Sequence, residues 1–236
     1  MRTARFFVPE EWVAKHAEAF SIPAGTLHKQ ITLVLRLKVG DHISLMTGDG
    51  SELDALITNI SRSAVMGTIA GSTVPNPTLP HITVCAAMTK RDTFEWMLQK
   101  CTELGAEAFI PLLAERVVKR PKETPRRWQD IVREAAEQSG RVTLPKVYEP
   151  MTVAAAIEHT KDKVRVFLHE SGGDKKIPTL HRTNQIALFV GPEGGFSENE
   201  QAAAKAAKMH IVTLGDLVLR AETAAIVGTT LLRFQK

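Results

Sequence analysis

The run Ile186-Ala187-Leu188-Phe189-Val190 passes without a break into Gly191-Pro192-Glu193-Gly194-Gly195, and then into Phe196-Ser197-Glu198-Asn199-Glu200 ahead of an alanine-rich stretch. An uninterrupted apolar run of β-formers predicts a buried strand. Ser197, with Glu200 three residues further on, predicts a capping box and therefore a helix start. Strand, tight glycine turn and helix start thus meet at one point. In α/β folds such a point lies at the C-terminal edge of the sheet, where backbone N–H and C=O groups are free to hold a ligand.

The rest of the chain divides in texture. Val74-Pro75-Asn76-Pro77-Thr78-Leu79-Pro80 resists both helix and central strand, and residues 75–80 read as a linker. Before it, residues 1–74 hold short strand-like pieces at Arg5 to Val8, His42 to Met46, Glu52 to Ile60 and Ala64 to Ala70. Turn residues separate them, and one helical segment lies near Leu27 to Leu37. That pattern predicts a small β-barrel. After it, residues 81–236 alternate predicted strands and helices, which implies an α/β domain with a mostly parallel sheet covered on both faces.

Charge and composition narrow the class of partner. With 236 residues, 44% of them apolar, the chain has material for one large domain or two modest ones. No apolar run approaches the roughly 18 residues that span a bilayer, so no membrane role is expected. The opening residues carry too short an apolar patch before Pro9 for a secretory signal. Cys85 and Cys101 are the only two cysteines; each sits inside a predicted element, as ordinary buried thiols of a reducing cytoplasm do. The net charge of +4 mildly favours an anionic partner. Between Arg116 and Arg127, six basic residues, among them Lys119 and Arg120, face one acid, Glu123. Such a patch suits a phosphate backbone as well as it suits a solvated loop.

Several chemistries lack their residues. The glycine turn has no Lys-Ser/Thr ending of a P-loop and no dinucleotide spacing. No Gly-x-Ser-x-Gly elbow is present, and the histidines show no metal-ligand spacing, so no metal is expected. His169-Glu170 is the one His–acid pair that follows directly on a predicted strand. A second strand–loop–helix point occurs at Leu214-Gly215-Asp216-Leu217-Val218-Leu219-Arg220-Ala221-Glu222-Thr223-Ala224. Glu222 and Thr223 suit a first helical turn. Arg220 does not, because the positive end of a helix disfavours a cation unless negative charge develops in front of it.

Gly-Pro-Glu-Gly-Gly-Phe-Ser-x-x-Glu followed by Leu-Gly-x-x-x-Leu-Arg-x-Glu-Thr-Ala resembles the SPOUT methyltransferases, in particular the family that methylates N3 of a uridine in 16S ribosomal RNA. The likeness continues through Arg2 and Arg5, Val34 to Asp41, Gln99 to Gly105, Glu115-Arg116, and Arg127-Trp128 to Arg141. Leu217 and Ala221 depart from it, standing where the family often carries Arg and Thr. The resemblance implies a PUA-like RNA-binding barrel at 1–74 and, at 81–236, a SPOUT domain tied in a deep trefoil knot that binds S-adenosylmethionine and forms a homodimer. It implies cytoplasmic action on 16S rRNA in the small ribosomal subunit. By position it places Leu168, His169, Glu170, Val190, Gly191, Glu193, Gly194, Gly195, Leu214, Gly215, Leu219 and Thr223 around the methyl donor. Arg220 and Glu222 are the expected catalytic pair, and Arg2, Arg5, Arg36, Lys38, Arg116, Lys119, Arg120 and Arg141 the expected RNA contacts.

Overall fold

The structure is a computed structural model and describes residues 3–14, 18–74, 80–117, 124–170 and 185–234. Arg2, Lys119, Arg120 and most of the expected linker lie outside these residues. The chain forms two compact units, one of residues 1–76 with 137–143 and one of residues 77–136 with 144–236.

The first unit is built on a mixed six-stranded sheet of order β1-β4-β5-β6-β3-β2. Its strands are β1 (Ala4–Phe7), β2 (Val13–Ala14), β3 (Ala19–Pro23), β4 (His42–Met46), β5 (Glu52–Ile60) and β6 (Ala64–Thr73). β1 and β4 run parallel and the other pairs antiparallel. Alternation puts Leu53, Ala55 and Ile57 of β5 inside, against Phe6, Phe20, Ile22, Ile43 and Leu45. Sequence periodicity did not suggest β2 and β3, which carry too few residues, or too mixed a pattern, to stand out. Their presence is written instead in Gly67, the register partner of Phe20. A Cβ at that position would lie 2.6 Å from the Phe20 ring and 1.9 Å from the Leu56 carbonyl oxygen, so the aromatic ring occupies the space a side chain would need. The expected helix is short: α1 (Thr26–Lys29) runs into a π-helical turn at Gln30–Val34.

The second unit holds a six-stranded, wholly parallel sheet of order β12-β10-β11-β7-β8-β9. Its strands are β7 (His81–Ala87), β8 (Ala108–Leu112), β9 (Lys146–Val147), β10 (Val164–Leu168), β11 (Gln185–Val190) and β12 (His210–Val212). Its helices are α2 (Arg91–Glu103), α3 (Arg126–Ser139, of which residues 137–139 count with the first unit), α4 (Val153–His159), α5 (Glu198–Ala206) and α6 (Ala221–Arg233). β7, β8 and β11 are buried almost throughout, as strands covered on both faces must be. β11 is inserted between β10 and β7, so the order of connection reverses there. α6 packs against α2, β7 and β11, and Gly228 lets it come close. A Cβ at Gly228 would sit 3.0 Å from the Leu188 side chain and 3.2 Å from that of Leu168.

Polar side chains fasten the helices. Glu95 of α2 is buried and bridges Arg91 and Arg127 at 2.9 and 2.7 Å. Burial alone would raise its carboxyl pKa, but the two guanidinium groups outweigh it and hold the carboxyl below its usual range. Phe94 and Trp128 are buried and pack at 4.7 Å between ring centroids, whereas Trp96 is 47% exposed. Cys85 and Cys101 are fully buried, and burial pushes both thiols up, Cys101 to about 12. Neither is a reactive thiolate at neutral pH. Among the described residues no helix is long and apolar enough to cross a membrane, and no group of three His, Cys, Asp or Glu is placed to hold a metal ion.

Candidate functional site

Three parallel strands of the second unit end level with one another. Phe167 pairs with Phe189 and Leu168 with Val212, which brings Leu168, Val190 and Val212 to one edge of the sheet. The loop after β10 stays attached there, His169 N donating to Val212 O at 2.9 Å. Each strand end therefore hands its following loop to the same place, as the connection reversal at β11 requires.

The glycine turn after β11 is shaped by close approach. The Phe196 ring folds back on Gly191, where a Cβ would lie 3.0 Å from it. It also packs on Phe167 with 4.3 Å between ring centroids. Gly195 has φ +69° and donates its N–H to Pro192 O at 2.8 Å, closing the turn. The capping box forms as the sequence suggests: Ser197 Oγ accepts from Glu200 N at 3.2 Å, and Glu200 Oε2 accepts from Ser197 N at 2.8 Å. The other carboxylate oxygen of the buried Glu200 accepts from Glu115 N at 2.9 Å. One carboxylate thus caps α5 and ties the loop after β8 to the glycine turn. Next to it, Arg116 Nη1 donates to Gly194 O at 2.6 Å.

A cavity of about 170 Å3 opens between these loops and the segment that follows β12. Of the residues assigned to the methyl donor, Leu168, His169, Glu170, Val190, Gly191, Glu193, Gly195, Leu214 and Leu219 line it. Gly194, Gly215 and Thr223 do not, although Gly194 supplies the carbonyl that holds Arg116. Gly215 instead takes φ +130° and accepts from Thr213 Oγ1 at 3.2 Å. Arg220 is the N-cap of α6, exposed, between the lining residues Leu219 and Ala221. Among the described residues the side chains of Arg220 and Glu222 have no hydrogen-bond or ion-pair partner, while the Arg220 carbonyl accepts from Ala224 N at 2.8 Å. Leu217 and Ala221, which depart from the family pattern, both line the cavity; Leu217 is 83% exposed.

The basic residues scatter. Arg5 is occupied within the first unit, donating to Gly140 O at 2.8 Å and pairing with Glu52 at 3.0 Å. Arg36, with φ 53°, and Lys38 are exposed in the same unit, and Arg141 is half-buried. Arg116, grouped by sequence with the basic patch, belongs by geometry to the cavity. Pro192, Phe196, Gln201, Thr213, Val218 and Ala224 also line it and were not anticipated. Phe196, Pro192, Val218 and Ala224 carry a usable signal, since they stand within or directly beside the glycine turn and within the Leu214 to Ala224 motif; Gln201 and Thr213 have none in the sequence.

The chain that builds this site is similar to known proteins in sequence and in fold. Residues 75–233 match the RNA methyltransferase domain family. The chain is 31% identical to ribosomal RNA small subunit methyltransferase E of Bacillus subtilis, over 94% of this chain and 92% of that protein. It superposes with TM-score 0.88 and 28% identity on a crystal structure of ribosomal RNA small subunit methyltransferase E from Neisseria gonorrhoeae bound to S-adenosylmethionine, covering 98% of this chain and 97% of that one. A putative methyltransferase of Legionella pneumophila with bound S-adenosylmethionine gives TM-score 0.85 and 27% identity, over 99% and 98% of the two chains. The chain belongs to the ribosomal RNA small subunit methyltransferase E family of RNA methyltransferases.

Proposed function

We propose that this protein transfers a methyl group from S-adenosylmethionine to N3 of one uridine in 16S rRNA of the small ribosomal subunit. The observation that carries the reading is the cavity at the C-terminal edge of the parallel sheet, lined by the Gly191–Gly195 turn and by Leu214 and Leu219, in a chain whose relatives are crystallised with that methyl donor. The residues suit it: apolar strand ends with backbone N–H and C=O groups can take an adenosine, and a cation with two acids can take a zwitterionic tail. When bound, S-adenosylmethionine supplies an electrophilic methyl on a sulfonium.

What remains is to make N3 a nucleophile. N3 of uracil carries a proton; as that proton passes to bulk water, the N3 lone pair becomes available and negative charge spreads to the flanking carbonyls. Arg220, at the positive end of α6 and with its guanidinium unpartnered among the described residues, stabilises that charge. Glu222, in the same first turn, orients Arg220 or the base. The target base must leave its pairing to present this edge. We assign the methyl-donor role to the cavity-lining Leu168, His169, Glu170, Val190, Gly191, Glu193, Gly195, Leu214 and Leu219, with Gly194, Gly215 and Thr223 in the adjoining turns. Residues 1–74 form a PUA-like barrel that holds RNA through Arg2, Arg5, Arg36 and Lys38, joined by Arg141, Lys119 and Arg120. Residues 81–236 form the knotted SPOUT domain, which acts as a homodimer in the cytoplasm. The test that separates this reading from a nucleotide-binding enzyme of ordinary doubly wound fold is calorimetry with S-adenosylmethionine and with ATP. Saturable binding of the first and none of the second is expected; the reverse would refute the reading.

A further inference from the structure

Four lining residues of the cavity carry titratable side chains: Arg116, His169, Glu170 and Glu193. Among them Arg116 alone bears a permanent positive charge. Its backbone is fixed from two sides. Val117 N donates to Ala114 O at 3.2 Å, closing a turn whose ends Ala114 and Val117 are buried. Glu115 N is held by Glu200, the carboxylate that caps α5 at the glycine turn. From that anchor the Arg116 stem runs over Gly194, its Cδ 3.7 Å from where a Cβ on that glycine would be. Its Nη1 then rests on Gly194 O. A guanidinium has five N–H donors, and among the described residues this one has no other partner. One donor pins the group, and the rest of the planar fork is left at the cavity.

Such a fork is matched to a carboxylate, which it can bind bidentately. Resting on the methyl-donor reading above, the ligand carries three charged groups: an ammonium, a sulfonium and an α-carboxylate. Only the carboxylate is anionic. Glu170 and Glu193, which line the same cavity, offer the opposite charge that the ammonium needs. We propose that Arg116 binds the α-carboxylate of the methyl donor's amino-acid tail, and that it serves the cofactor and not the RNA backbone. Gly194 is then explained as well: its carbonyl sets the direction of the fork.

The probe is a pair of ligands that differ in that one group, S-adenosylmethionine and its decarboxylated form, titrated by calorimetry into the wild type and into Arg116→Ala. The wild type prefers the carboxylated ligand by about 10- to 100-fold, the worth of a charge-assisted hydrogen-bond pair. In Arg116→Ala that preference shrinks to about threefold or less, while affinity for the decarboxylated ligand stays within about threefold of wild type. An unchanged preference in the variant overturns the inference, and so does equal weakening of both ligands, which would make Arg116 a support of the turn. A variant that binds both ligands normally and loses only RNA affinity overturns it too, in favour of a phosphate contact. Failure of the wild type to bind either ligand would strike the methyl-donor reading itself and is distinct from all of these.

Discussion

Replacing Arg220 by alanine lowers turnover by about 100- to 1000-fold, the usual cost of removing one group that meets developing negative charge, and leaves affinity for S-adenosylmethionine within about threefold. The separation follows from position. Arg220 is the N-cap of α6 and exposed, whereas the cavity is lined by its neighbours on either side, Leu219 and Ala221. It caps nothing with its side chain, and a cation there opposes the helix dipole. Its removal therefore leaves the melting temperature unchanged or slightly higher while activity falls. Single-turnover rates, calorimetry and thermal melts on one preparation check all three. A variant that keeps full activity, or that loses activity only because it unfolds, contradicts the assignment.

Arg233→Ala has the opposite signature. Arg233 ends α6, is buried, and donates to the carbonyls of Pro80, Leu104 and Gly105 at the C-terminal end of α2 and before β7. Gly105, with φ +90°, has no room for a side chain because the guanidinium stands 2.2 Å from where its Cβ would be. Removing the arginine strands buried carbonyls and leaves a void, at a cost of about 3–5 kcal/mol. At about 2–4 °C per kcal/mol for a chain of this size, the melting temperature falls by roughly 6–20 °C. Arg233→Lys recovers little, since one ammonium cannot meet three carbonyls set around a planar fork. A shift below about 2 °C for the alanine variant would show that the contacts contribute nothing net. The same helix carries Arg220 at its other end, so Arg233 fixes the site's geometry at a distance without touching ligand.

How legible this was from the residues depended on range. The strand–turn–helix at 186–200 could be read because each of its devices is local: an apolar run, Gly195 at positive φ, and a capping box that closes within three residues. The opening of α6 at Arg220 could be read for the same reason. Arg116 could not, because what takes it out of the basic patch and to the cavity is a bond between Glu115 and Glu200, far apart in the chain. Nor could the partnership of β3 with β6, which rests on Phe20 filling the space over Gly67, or the exposure of Trp96 beside buried Phe94 and Trp128. Helical spacing assigns all three aromatics to a core, but which face of α2 is covered is decided by α3 and α6.

The proposed function comes down to a single event, methyl transfer to the Watson–Crick edge of a pyrimidine. It is tested most directly by incubating the protein with methyl-labelled S-adenosylmethionine and small ribosomal subunits that lack the modification, then mapping the label. The expected result is one uridine of 16S rRNA methylated at N3, with no label in the Arg220→Ala reaction over the same interval. Label on a ribose hydroxyl or on another base, or none in the presence of bound methyl donor, would contradict it.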